Sequence, residues 1–199
     1  MSRAEWIEGS RILLVVSDED VSVIQKETDA SLLVLHDLDW NKDLSPWYAE
    51  KVFRKGEDFS GNGDQTLQMI IEMMDEHRES YDQAAIAGYS LAGLFALYAC
   101  TVSERFEGCV SASGSLWFPR FEEWLKEHPV HCKAVYLSLG DQEKKTKNPV
   151  MASVEEKTEE AYRLIGSYTD CFFEMNPGNH FSHPEERLMK GIRHILKKL

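Results

Sequence analysis

Residues 84–94, reading AAIAGYSLAGL, run from one apolar stretch through a serine into a second apolar stretch without a break. A strand ending at Gly88, a tight turn carrying Ser90 and a helix starting at once would strain the serine backbone and lift its Oγ clear of a sheet. Small residues must flank such a turn, because strand and helix approach closely there. Gly88 and Ala92 meet that need, and Gly93 leaves further room. The first N–H groups of the helix would face the reacting carbon, which makes the Leu91 N–H an oxyanion donor. The spacing is G-x-S-x-A, so a competing reading has Ser90 merely capping a buried helix. The strand–turn–helix context favours a nucleophile.

Serine is a weak nucleophile at neutral pH and needs a base to take its proton. Of seven histidines, His180 stands in NPGNHF, after the last apolar strand pattern and before the terminal helix pattern. Its Pro-Gly turn can project the imidazole over a sheet edge. His183 adjoins Pro184 and reads as a helix starter, and His194 lies within that helix. A carboxylate must then fix the imidazole tautomer and stabilise its charged form. The strand pattern over 133–139 ends in Gly140-Asp141-Gln142-Glu143, which offers two. Glu143 is preferred because it stands farther beyond the strand end and can turn back, with Asp141 as the alternative. Lys144 and Lys145 read as a solvated charge cluster.

These residues need a scaffold that brings loop ends together. Strand patterns fall at 11–17, 31–36, 83–88, 107–111, 133–140 and 169–175, several of them continuously apolar, as in strands covered on both faces. Helical patterns alternate with them. Residues 65–79 carry Leu67, Ile70, Ile71 and Met74 at helical spacing, with Asp64 placed to cap them. Residues 91–100 are apolar nearly all round, which predicts a buried helix. Residues 151–165 put Val154, Thr158, Ala161, Leu164 and Ile165 on one side. Pro184 opens a last helix whose Leu188, Ile192, Ile195 and Leu199 face inward. The alternation predicts a mostly parallel sheet with helices on both faces. Residues 37–63, with Pro46, three glycines and Trp40, Trp47, Tyr48, Phe53 and Phe59, read as a long loop of the kind kept for function.

The length of 199 residues and the lack of any linker predict a single domain over 1–199. A net charge of −12 repels nucleic acid and anionic membranes, so neither is expected as a partner. Four cysteines without a CxxC pair predict free, buried thiols in a reducing compartment. With no signal-like start and no long apolar span, a cytoplasmic location is expected. His180 and His183 fall short of a metal site, no glycine pattern cradles a phosphate, and no cofactor is expected.

The same residues resemble the esterase D-like branch of the α/β-hydrolases, which includes enterochelin esterases, feruloyl esterases and S-formylglutathione hydrolase. Gly88-Tyr89-Ser90-Leu91-Ala92-Gly93 is similar to that branch's serine turn. Asp39-Trp40-Asn41-Lys42-Asp43-Leu44-Ser45-Pro46 is similar to its D-x-N-R-x-L-T-P loop, and Ser113-Gly114-Ser115-Leu116-Trp117 to its S-P-S-L-W segment. Lys42 replaces a frequent arginine, and Gly114 a proline. The resemblance implies an α/β-hydrolase three-layer sandwich with minimal or no lid. It also implies a second oxyanion donor at the backbone N–H of Trp40 or Asp39, and a pocket lined by Trp117. Trp47 is read as a further pocket wall, and pocket shape as set by residues 37–63 and 113–121. The expected activity is hydrolysis of a small carboxylic ester or thioester through an acyl-enzyme. An acyltransferase using the same serine and a catalytically silent binding module are the alternatives, and oligomeric state stays open.

Overall fold

The computed structural model describes residues 3–17, 21–52 and 56–199, so Phe53 and the first two residues of the N-terminal segment lie outside the described residues. In chain order the elements open with β1 (Arg3–Ile7), β2 (Ser10–Val16), α1 (Ser22–Glu27), β3 (Ala30–His36) and α2 (Trp40–Asp43). A two-residue hairpin follows, β4 (Tyr48–Ala49) and β5 (Phe59–Ser60), then α3 (Gly63–Glu76), β6 (Gln83–Tyr89) and α4 (Leu91–Val102). The second half comprises β7 (Gly108–Ala112), α5 (Phe121–Glu127), β8 (Ala134–Gly140), α6 (Pro149–Ala152), α7 (Val154–Ile165), β9 (Asp170–Asn176) and α8 (Pro184–Leu196).

Seven strands form one sheet in the order β1-β3-β2-β6-β7-β8-β9. All neighbours are parallel except β1, which pairs antiparallel with β3 at the edge. The continuous apolar runs follow from burial on both faces. Leu13, Val15, Leu33 and Leu35 enter one core with α3, α4, α5 and α7, while Leu14, Val16, Leu32 and Val34 enter a second with α1 and α8. This is the three-layer α/β-hydrolase arrangement. Gly191 lets α8 lie close on the sheet, since a Cβ there would stand 2.4 Å from Val110 Cγ1.

The six strand patterns appear with ends shifted by at most a residue or two. The differences elsewhere have local causes. Residues 3–7 form β1 despite their charges, because an edge strand exposes one face and alternates accordingly. The pattern over 151–165 divides at Ser153, where α6 ends and α7 begins; Asn148 caps α6 through the Val150 and Met151 N–H groups. Helix α3 starts at Gly63, whose N–H bonds to Ser45 O, and Asn62 holds the cap position. Asp64 therefore lies inside the first turn, where its carboxylate accepts the Tyr98 hydroxyl at 2.5 Å. The expected loop over 37–63 holds α2, with the Asp39 side chain as its cap, and the β4–β5 hairpin. Ser45 Oγ donates to Asn41 O at 2.7 Å and accepts from Gly61 N at 2.8 Å, drawing the segment's ends together.

Candidate active site

Strand β6 ends at Tyr89, and α4 begins at Leu91, leaving Ser90 as the only residue of the turn. Its backbone sits at φ 58° and ψ −122°, a region that side-chain-bearing residues seldom occupy. Neighbours impose that conformation. Ser90 N–H donates to Ala112 O at 3.1 Å, and Ser115 N–H donates to Ser90 O at 3.0 Å. A Cβ on Gly88 would stand 2.2 Å from Ala92 O, so only glycine permits the strand and helix to close the turn this tightly. Leu91 is the first helical residue, where a backbone N–H has no partner within the helix.

Ser90, Ser113, Glu143 and His180 follow the ends of β6, β7, β8 and β9, four neighbouring parallel strands, so all four emerge at one edge of the sheet. His180 Nε2 lies 2.9 Å from Ser90 Oγ, and its Nδ1 lies 2.8 Å from Glu143 Oε2. Burial would raise the Glu143 carboxyl, but the hydrogen bonds from His180 and the Gly140 N–H outweigh it and hold the group below the usual glutamate range. An ionised carboxylate only accepts, so Nδ1 carries the hydrogen and Nε2 turns its lone pair to the serine. Ser115 Oγ stands 3.4 Å from Ser90 Oγ.

Asp141 does not join this chain of contacts. It is exposed; its Oδ1 accepts the Gly178 N–H at 2.9 Å and its own N–H bonds to Asn176 O, which staples the acid turn to the histidine loop. The hydrogen bond from Gly178 lowers its pKa. His183 holds φ 53° just ahead of Pro184 with an exposed side chain, and His194 stacks on Phe172 with ring centroids 4.6 Å apart. Among the described residues, no group of three histidine, cysteine or acidic side chains could hold a metal ion.

A cavity of about 210 Å³ opens beside His180 and Glu143, with Trp117, Met151, Val154 and Phe181 as its apolar walls. Trp117 is among its lining residues and Trp47 is not. The Trp47 ring packs on Phe118, Phe121 and Trp124, and its Nε1–H donates to Pro119 O at 3.0 Å. The indole N–H is thus satisfied within an aromatic cluster, and the ring also lines a second, open cavity with Arg120, Glu123 and Glu127. Among the described residues, none of the first cavity's lining comes from 37–63; the turn after β8, the start of the α6–α7 pair, the histidine loop and the segment of Ser113 and Trp117 supply it. Lys144 and Lys145 are both exposed; Lys144 pairs with Glu155 at 2.8 Å, and Lys145 stands at that cavity. Of the two N–H groups implied as a second oxyanion donor, that of Asp39 is engaged by Asp43 Oδ2 at 3.0 Å. Trp40 is 42% exposed at the start of α2.

Sequence reasoning missed Arg187. Its side chain is 2% exposed, and Nη1 stands 3.0 Å from Glu143 Oε1. The available signal was its place on α8, one turn before Gly191 and two before Ile195, on the stripe that faces the sheet.

The sequence over residues 27–183 matches a family model described as "Putative esterase". No curated protein matches the chain by sequence. Among solved structures, a siderophore hydrolase of Aspergillus nidulans superposes with a TM-score of 0.67 at 19% identity, over 96% of this chain and 84% of that one. The enterobactin esterase of Shigella flexneri gives 0.69 at 18% identity, over 99% of this chain but only 56% of its own. An esterase of Butyrivibrio proteoclasticus with ferulic acid bound gives 0.63 at 14%, over 98% and 94%. At these identities the superpositions carry the fold, and the family model carries the membership.

Proposed function

The chain belongs to the esterase family, whose members are carboxylic ester hydrolases, and from that premise we propose that it cleaves small esters or thioesters through an acyl-enzyme on Ser90. His180 takes the serine proton through Nε2 as Oγ adds to the substrate carbonyl, then returns it to the leaving alcohol or thiol. Water, deprotonated by the same imidazole, attacks the acyl-serine; as the acyl–Oγ bond breaks, the imidazolium returns that proton to Ser90 Oγ and the acid is released. Glu143 holds the imidazole tautomer and stabilises the imidazolium that forms in both steps. Leu91 N–H and Trp40 N–H face the developing oxyanion, each contributing about 3 kcal/mol of transition-state stabilisation. Trp40 is preferred to Asp39 because the Asp39 N–H is already committed to Asp43.

The observation that carries this reading is the unbroken contact chain from Ser90 Oγ through both imidazole nitrogens to a buried carboxylate, at 2.9 and 2.8 Å. Substrate size follows from the cavity. At about 210 Å³ it falls below the roughly 300–1,000 Å³ of sites for drug-sized ligands, which suits one short acyl or alcohol group. We propose that the cytoplasm is where the protein works, because its cysteines are free and three are buried.

A panel of p-nitrophenyl esters from acetate to dodecanoate tests the proposal. The expected profile peaks at short chains, and Ser90→Ala lowers kcat by about 10⁴-fold or more. Ester release that survives Ser90→Ala would refute the serine route, and a peak at dodecanoate would refute the size assignment.

A further inference from the structure

Arg187 joins, through one buried side chain, pieces of chain at the ends of four neighbouring strands. Its Nη1 lies 3.0 Å from Glu143 Oε1, 3.1 Å from Ser113 Oγ and 3.3 Å from Tyr89 Oη, while Nη2 donates to the carbonyls of Pro177 and Asn179, each at 3.0 Å. Tyr89, the residue before the nucleophile, closes the circuit by donating its hydroxyl to His180 O at 2.6 Å. One guanidinium thus touches the acid, the strand end before the serine, the loop after β7 and the loop that carries the base. A Cβ on Gly140 would fall 2.8 Å from Nη1, so the turn after β8 is shaped around this side chain. A cation this deeply buried is retained only where its charge and donors are matched, and here the carboxylate that matches its charge is that of Glu143, the proposed acid.

We propose that Arg187 is a positioning residue for ester hydrolysis, holding Glu143 and the His180 loop in register and balancing the Glu143 charge so that the imidazole stays neutral until the serine proton arrives. The inference rests on the assignment of Ser90, His180 and Glu143 above. The charge argument has a definite sign. The ionisable groups around the guanidinium are Glu143 on the turn after β8, His180 on the loop after β9, Tyr89 on β6 and, farther out, Asp141, with Lys145 beside it. Without the guanidinium, the Glu143 anion faces His180 uncompensated. Either the imidazole binds its proton more tightly or Glu143 itself is protonated more readily. Both changes remove the active form at a higher pH.

The test measures kcat, KM and the pH profile of kcat/KM for wild type, Arg187→Met, Arg187→Lys and Glu143→Gln, each alone, and for Arg187→Met combined with Glu143→Gln. Arg187→Met is expected to lower kcat about 100-fold with KM within about threefold, as misplacement by roughly an ångström does. Its acid limb should move up by about 1 pH unit or more, the scale of losing a charge at this distance. Arg187→Lys keeps the charge, so its acid limb should stay in place while kcat falls about tenfold. In the Glu143→Gln background, Arg187→Met should cost less than about threefold, because the two act through one chain of contacts. An unmoved acid limb in Arg187→Met, or effects that multiply in the double variant, would assign Arg187 to stability alone and overturn the proposal. Should Arg187→Met fail to fold, Arg187→Lys decides: unchanged kcat overturns the proposal, and a tenfold fall with a fixed acid limb supports it. Activity in Ser90→Ala would instead bring down the underlying assignment, a separate failure.

Discussion

Ser90 occupies a backbone region that costs of order 1–3 kcal/mol, and the fold holds it there through Gly88, Ala112 and Ser115. Gly88→Ala forces a methyl against Ala92 O, so it should destabilise the protein by about 1–3 kcal/mol in urea titration and remove most ester hydrolysis. The two carboxylates after β8 separate cleanly by contact. Glu143→Gln leaves the tautomer of His180 unfixed and should lower kcat by about 10²–10⁴-fold, whereas Asp141→Asn, an exposed staple, should stay within about threefold. Equal losses in both variants would contradict the assignment of the acid. The Ser90 turn and the His180 loop were legible because their signals are local: a serine between an apolar strand and an apolar helix, and a histidine on a Pro-Gly turn. Arg187 was not, since an arginine in an amphipathic helix reads as solvent-facing until the sheet beneath it supplies a buried carboxylate.

Elements were legible where burial fixes their period. Strands β2 and β3 read as continuous apolar runs because helices cover both faces, and α4 because the sheet and its neighbours surround it. The hairpin β4–β5 and the break at Ser153 escaped because side-chain bonds set them, through Ser45 and Asn148, and such bonds leave no periodicity. Trp47 escaped for a related reason: an indole suits a pocket or a core equally, and only its neighbours decide. Helix α8 carries both the buried arginine and the second core, so Ile192→Ala should cost about 2–5 kcal/mol of unfolding free energy. Helices α5 and α7 are tied by Glu122, which accepts from Lys126 and from Lys157. Hydrogen bonds from those lysines hold its carboxyl down to about 2, below the ordinary 4.5. A depressed carboxylate stabilises the fold above its unfolded pKa, and the contribution disappears as pH falls from about 4.5 to about 2. Glu122→Gln should therefore lower the unfolding free energy at neutral pH by on the order of 1 kcal/mol or less, read as a lower Tm. It should leave Tm nearly unchanged at pH 2, and an equal loss at both pH values would contradict the tie.

At the scale of the whole molecule, parallel strands in the order β6-β7-β8-β9 bring Ser90, Ser113, Glu143 and His180 to one edge, although 90 positions separate the serine from the histidine. That meeting follows from the strand order; the cavity beside it was less legible, because the turn after β8 and the start of α6–α7 line it together with Ser113 and Trp117, and none of its described lining residues comes from 37–63. The net charge of −12 adds a long-range repulsion of anions, so kcat/KM for a carboxylate-bearing ester should rise with ionic strength while that for a neutral ester stays flat. The central claim, an activated serine at position 90, is tested most directly by intact-mass analysis after brief exposure to a small excess of fluorophosphonate. The account predicts one adduct per chain, mapped to the peptide containing Ser90 and absent from Ser90→Ala. Labelling of Ser90→Ala to the same extent, or no adduct on folded wild-type protein, would contradict it.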